Sequence, residues 1–253
     1  MTVDAVAEQL GRLGVERGGI LLVHTSYRAV RPIDGGPEGL IAALRSVLGP
    51  GGTLVMPAWG NTDDEPFDPE RHETSPGLGV LPRTFWKLPG VQRSRHVHAF
   101  AAAGPEASSI LRDPLPLPPH IPESPVGRVW EADGQVLLLG VNHDANTTVH
   151  LAEVLAGVPY WIPKYCTVLE GGRPVRVDYG ENDHCCQRFR LVEGWLKASG
   201  LQVEGPVGSG VARLVRSRSV VDVVRSRLEP DPLLFLHDPQ VGCDECDLAR
   251  ASV

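Results

Sequence analysis

At 253 residues and 42% hydrophobic, with a formal net charge of −7, the chain can bury a full core and is too acidic for the basic footprint that nucleic-acid binding requires. No stretch approaches the ~18–20 continuous apolar residues of a membrane span, and the opening MTVDAVAEQLGRLGVERGG is amphipathic, without the apolar core of a signal peptide, which implies cytoplasmic residence. Five cysteines, an odd count with one adjacent pair and one CxxC, fit thiols or metal ligands better than a secreted disulfide frame, and the charge suits a cationic ligand.

Residues 19–28, GILLVHTSYR, read as a buried strand because a short aliphatic run is bounded by glycine and polar residues; His24, Thr25 and Ser26 close it. DGGPEGLIAALRSVLGP follows, with Pro37 at a first helical position, Leu40, Ala43, Leu44, Val47 and Leu48 at helical spacing, and Gly49-Pro50 as a stop. Gly35 and Gly36 before that helix are candidate phosphate contacts, although DGGPEG matches neither the Walker nor the dinucleotide fingerprint. GGTLVMPAW (51–59) is a second strand, so strand, helix and strand imply a parallel pair. The whole, 1–253, reads as one domain without internal repeats.

Residues 60–82 form a long acidic, proline-rich loop carrying Asp63, Asp64, Glu65 and Asp68, which is either solvated surface or the wall of a polycation site. Further strands are expected at 96–104 and 135–141, with a proline-dense loop over 113–128 between them. In HDANTTVHLAE (143–153), Thr147 or Thr148 caps a helix that Gly157 ends. His150 and Glu153 then share a face at i and i+3, where a carboxylate fixes the imidazole's tautomer. His143, Asp144 and Asn146 precede the helix at the end of a strand, the usual ligand position of open α/β sheets. Beyond it, 157–179 predicts two strands joined at Gly171-Gly172, and helices are expected over 185–199 and 206–227. NDHCC (182–186) and GCDEC (242–246) together hold enough thiols and an imidazole for a tetrahedral zinc site, with Cys185 and Cys186 pointing in different directions.

Taken together, LLVHTSYRAVRP, DGGPEGLIAAL, GGTLVMPAW, FDPERHETSPGLGVLPRTFW, RSRHVHAFAAAGP, LGVNHDANTTVHLAE and DHCC resemble, in order and spacing, the aminoglycoside 3-N-acetyltransferase family. PLPLPPHIPESPVGR and GCDECD resemble its class IV type, which accepts apramycin and gentamicin-like substrates. The resemblance implies a three-layer α/β/α sandwich around a central mixed, largely parallel sheet, distinct from the GNAT acetyltransferases. It implies acetyl transfer from acetyl-CoA to the 3-amine of the 2-deoxystreptamine ring by a monomer or homodimer. His150 takes the place of the catalytic histidine, with Glu153 and Asp144 as the acids around it. His24, Thr25, Ser26, Gly35, Gly36, Ser124 and Val126 fall in the coenzyme A region, and Asp63, Asp64, Glu65, Asp68 and Asp183 are expected to face the aminoglycoside.

Two departures from the family pattern matter. His96-Val97-His98 stands where the family commonly has His-Pro, and Cys186 follows the DHC segment where asparagine is common, so Cys186, Cys243 and Cys246 are expected to ligate zinc with His184 or His120 as the fourth group. For the reaction, His150 as general base in direct transfer competes with an acetyl-cysteine route through Cys185. The readings from other classes are a zinc hydrolase using His143, Asp144 and His150 with Glu153 as base, and a zinc-stapled module that binds a cationic partner without chemistry.

Overall fold

The structure, a computed structural model, describes residues 1–112 and 117–253, so the first four positions of the expected 113–128 loop lie outside it. In chain order the elements are α1 (Val3–Leu13), β1 (Ile20–Thr25), α2 (Tyr27–Val30), α3 (Gly36–Leu48), β2 (Thr53–Pro57), α4 (Val80–Phe85), β3 (Gln92–Arg93), β4 (Phe100–Ala103), α5 (Ala107–Ile110), α6 (Pro125–Glu131), β5 (Gln135–Leu139), α7 (Thr147–Ala156), β6 (Ile162–Glu170), β7 (Arg173–Glu181), α8 (Leu191–Ala198), β8 (Gln202–Val207), β9 (Gly210–Arg216), α9 (Ser217–Leu228) and α10 (Asp244–Ala251).

Seven strands form one sheet in the order β3-β4-β2-β1-β5-β9-β8, and β6 and β7 form a separate ribbon. The alternation of strand side chains divides the core in two. Leu22, Val55, Phe100, Val136 and Leu138 pack on one face with α6, α7 and α9, whereas Leu21, Val23, Leu54, Met56, Leu137 and Leu139 pack on the other with α1 and α3. This is the expected α/β/α layering. The sheet is mixed, as expected, but its parallel share is smaller: among the described residues β1–β2 and β1–β5 run parallel, and the other four pairings are antiparallel. Parallel pairs need long crossovers, and the α3 connection between β1 and β2 and the return to β5 supply them; short links make hairpins of β3–β4 and β8–β9.

The second hairpin corrects the helix expected from 206. Val207 and Gly210 are joined through Gly208-Ser209, with Gly208 at φ +60°, and the apolar positions that mimic helical spacing belong to β9 until the chain turns into α9 at Ser217. Tertiary placement requires this turn, because a Cβ on Gly208 would lie 2.0 Å from the Val30 carbonyl oxygen. Gly39 of α3 is equally confined: a Cβ there would meet the Asp34 carbonyl oxygen at 1.9 Å. Gly39→Ala is therefore expected to destabilise the fold by about 3 kcal/mol, at the upper end of overpacking costs, read as a lowered thermal midpoint.

Candidate active site

The central strands β1 and β5 run in parallel and end at one edge, where the chain leaves β1 at Thr25 and β5 enters the turn before α7. Ligands collect at such carboxyl ends. A cavity of about 640 Å³ opens there, walled by His24 and Thr25 from β1, by Asp144, Asn146, Thr147 and His150, and by Lys164, Tyr165, Tyr179 and Glu181 of the β6–β7 ribbon. The loop after β2 adds Trp59 and Asp63, and His98, His120, Asp183, Cys186 and Phe189 complete much of the rest.

Helix α7 places the central pair. Its cap is Asn146, whose side-chain oxygen accepts from the Thr148 N–H at 3.0 Å, rather than either threonine; the cap residue must lie outside the helix, and Thr147 is already its first turn. His150 Nδ1 donates to Glu153 Oε2 at 2.9 Å, as the i, i+3 spacing predicts. Glu153 is wholly buried, and its other oxygen accepts from His184 Nε2 at 2.8 Å and from the Tyr160 hydroxyl. Burial would raise the carboxyl pKa, but the hydrogen bonds from His150 and His184 overcome it and lower it to about 2. Burial in turn would lower His150, and it is outweighed by Cys186 and by Glu153, so the imidazole titrates well above its usual range. Tyr160 stays protonated, because burial and the adjacent carboxylate both push its pKa up.

The other ring nitrogen, His150 Nε2, is turned to the cavity side and lies 3.3 Å from Cys186 Sγ. Cys186 adopts a left-handed conformation, φ +58°, that is unusual for a residue with a Cβ. The His120 ring stacks on His150 with centroids 5.3 Å apart, and His98 meets His120 edge-on. Burial holds His98 near 3 and His120 well below its ordinary value, so both are neutral. They face Glu181 at 4.0 and 3.8 Å. Burial pushes Glu181 up to about 7.

Several expected residues are elsewhere or have other work. Asp144 lines the cavity but pairs with Arg190 at 2.6 Å and takes no part in the His150–Glu153 contacts. Among the acids expected to face the ligand, Asp63 and Asp183 do line the cavity, with Asp183 paired to Lys164. Asp64 accepts from the Tyr165 hydroxyl at 2.7 Å, and Glu65 and Asp68 line a different cavity of about 610 Å³ with Arg71, His72 and Arg95. A turn through Asp68, whose N–H donates to His72 Nδ1, carries those two acids away.

Of the residues expected to hold coenzyme, His24 and Thr25 form cavity wall and the rest do not. Burial brings His24 to about 3, so it is neutral beside Thr147 Oγ1 at 3.3 Å, and the Thr25 hydroxyl is buried without an internal partner. Ser26 starts α2, and Gly35 caps α3 in the left-handed region, while the Gly36 N–H is used by the Ile33 carbonyl at 2.9 Å and is not free for a phosphate. Ser124 caps α6 by accepting the Gly127 N–H at 3.2 Å, and Val126 is buried in the core, so both serve the fold.

The expected metal set does not assemble either. Cys186 faces His150, and it is Cys185 whose sulfur lies 3.6 Å from Cys246 Sγ. The segment turns at Cys186, so adjacent thiols point apart. His184 has no nitrogen to spare, since Nε2 binds Glu153 and Nδ1 accepts the Cys186 N–H at 3.1 Å; His120 belongs to the cavity. Cys185 is likewise outside the cavity and unfit as its nucleophile, with a thiol that burial and neighbouring thiols push up to about 12. The hydrolase set fails at His143, whose ring nitrogens face Gln202 Oε1 at 2.8 Å and Asn146 Nδ2 at 3.1 Å.

Tyr160, His184 and Cys186 in these roles, together with Glu181 and His98, were missed from sequence. The adjacency of Asp183, His184 and Cys186 to the end of β7 was the one available signal.

Residues 22–229 match the family model described as aminoglycoside 3-N-acetyltransferase. The chain is 63% identical to aminoglycoside N(3)-acetyltransferase IV of Salmonella sp. over 92% of this chain and 90% of that one. Its fold is similar to that of a histidine-to-alanine variant of the acetyltransferase AAC(3)-IVa in complex with a gentamicin, with a TM-score of 0.98, 61% identity and coverage of 100% of this chain and 97% of the other. It is also similar to AAC-IIIb in its binary complex with CoASH, with a TM-score of 0.82, 27% identity and coverage of 91% and 97%. The chain belongs to the aminoglycoside 3-N-acetyltransferase family.

Proposed function

We propose that the chain, acting as one cytoplasmic domain, transfers acetyl from acetyl-CoA to the 3-amine of 2-deoxystreptamine aminoglycosides such as gentamicin and apramycin, with His150 as general base. The observation that carries this reading is an imidazole fixed at Nδ1 by a buried carboxylate while its Nε2 faces a cavity walled by acids. The family membership and the gentamicin and CoASH complexes of similar proteins support the two substrates.

An ammonium has no lone pair with which to attack a thioester. The ammonium proton is therefore lost to solvent before attack; His150 Nε2 takes the second proton, shed by the nitrogen as its bond to the acetyl carbon forms, and Glu153 stabilises the imidazolium that results. When the tetrahedral intermediate collapses, the carbon–sulfur bond breaks and the proton on His150 passes to the departing coenzyme A thiolate. The Thr25 hydroxyl, buried in the wall with no internal partner, is placed to donate to the oxyanion. Cys186 occupies the position beside Nε2 that the amine must reach, so acceptor binding displaces the thiol contact. Asp63, Glu181 and Asp183 hold the remaining ammonium groups, and Trp59 and Tyr179 supply flat faces for sugar rings.

Thiol release from acetyl-CoA, followed with and without gentamicin or apramycin, tests the assignment: release that requires the aminoglycoside supports it, and none with either defeats it. Because the acids act through charge, acceptor KM should rise with ionic strength, and Glu181→Gln should raise acceptor KM more than it lowers kcat. A KM independent of salt would remove the acids from recognition.

A further inference from the structure

Three of the five cysteines meet outside the cavity. Cys185 follows His184 in the segment after β7, Cys243 caps α10, and Cys246 lies in that helix's first turn. Cys185 Sγ is 3.6 Å from Cys246 Sγ and within 4.8 Å of Cys243 Sγ. None is in a disulfide, Cys246 is fully buried, and the other two are half-buried. The Glu245 carboxylate joins Cys185 and Cys243 in a group whose ligand atoms all lie within 4.8 Å of one another.

Apolar packing alone would not gather these groups: Cys185 lies beside Cys246, and Cys185, Cys243 and the Glu245 carboxylate lie within ligand reach of one another. Three adjacent thiolates repel one another, and a divalent cation between them converts the repulsion into binding. Zinc–sulfur bonds of about 2.3 Å in a tetrahedron separate the sulfurs by about 3.8 Å, close to the separation of Cys185 and Cys246. The donor set is soft, which selects zinc over calcium or magnesium.

We propose that Cys185, Cys243 and Cys246 bind one zinc-class cation as three thiolates, with the Glu245 carboxylate, which lies within 4.8 Å of Cys185 and Cys243, as the fourth donor; His184, equally near Cys185 and Cys246, has both ring nitrogens engaged. Binding releases the thiol protons to solvent and changes no oxidation state. The site is structural, because none of its ligands lines the cavity. It ties α10 to the segment that presents His184 to Glu153 and Cys186 to His150, so metal loss loosens the general base from a distance.

The test equilibrates the full-length protein with zinc, removes unbound metal by gel filtration and measures metal content, with cobalt substitution as a spectroscopic readout. The expected result is one zinc per chain and the intense ligand-field and thiolate charge-transfer bands of a tetrahedral cobalt–sulfur site. Cys243→Ser should lose both, and Cys166→Ser, whose thiol lies on β6, should keep both. If Cys243→Ser does not fold, thiol labelling of the unaltered protein decides: three thiols protected by zinc and exposed by chelation support the site. A chain that retains no metal, a Cys243→Ser variant that retains as much as the parent, or a disulfide between Cys243 and Cys246 would overturn it.

Discussion

His150→Ala should lower kcat/KM for the aminoglycoside by about a thousandfold, the middle of the range for a lost general base and equivalent to about 4 kcal/mol of transition-state stabilisation. Acetyl-CoA affinity should be unchanged, because the imidazole acts on the coenzyme only after attack, when it protonates the departing thiolate, and contributes nothing to binding the intact thioester. The side chain is four-fifths buried at one wall of a cavity, so truncation enlarges that cavity without opening the core beneath α7. Turnover measured together with acetyl-CoA binding separates the outcomes. Near-normal turnover would defeat the assignment of the base; joint loss of turnover and coenzyme binding would point to a damaged fold.

The second large effect concerns Glu153. Glu153→Gln keeps the shape but replaces one accepting oxygen by an NH₂ group that faces donors, leaving a buried polar group unpaired at a cost of ~1–3 kcal/mol. It also removes an anion whose pKa of about 2, against 4.5 for an unperturbed group, contributes about 3 kcal/mol at neutral pH. For a depressed acid that contribution is full above the unfolded value and is lost as pH falls toward 2. The expected result is a lowered thermal midpoint at pH 7 and a smaller difference from the parent near pH 3.

Turnover should fall by about a hundredfold as well, since the imidazolium loses its counter-ion. The pH profile distinguishes this role from a merely structural one. In the parent, activity rises with pH as His150 loses its proton, along a limb above the ordinary imidazole range. Without the Glu153 charge the His150 pKa drops, so the limb must move to lower pH even as the maximum falls. An unmoved limb would show that Glu153 supports the fold and not the base.

The sheet core and the α7 pair were legible from sequence because each rests on a local period: the aliphatic runs of β1, β2 and β5, and the i, i+3 spacing of His150 and Glu153. The hairpin at 202–216 was not, since its apolar spacing matches a helix and only packing against Val30 decides it. The site was half legible for a similar reason. Glu181 and His98 reach the cavity, and Tyr160 reaches Glu153, through ribbon and loop placements that no short motif encodes. Adjacent cysteines could be seen to diverge, but which one met His150 depended on the left-handed turn at Cys186. The acids of the 60–82 loop divided for the same kind of reason, with Asp63 at the cavity and Glu65 and Asp68 behind it.

Direct transfer is tested most sharply by a single turnover of the protein with labelled acetyl-CoA, first alone and then with gentamicin, with the label located by intact mass on the chain and by NMR on the aminoglycoside. The account predicts no acetyl on the protein in either sample and a single acetyl on the 3-amine when gentamicin is present. Label on Cys186 before acceptor is added, or no acetylated gentamicin afterwards, would contradict it.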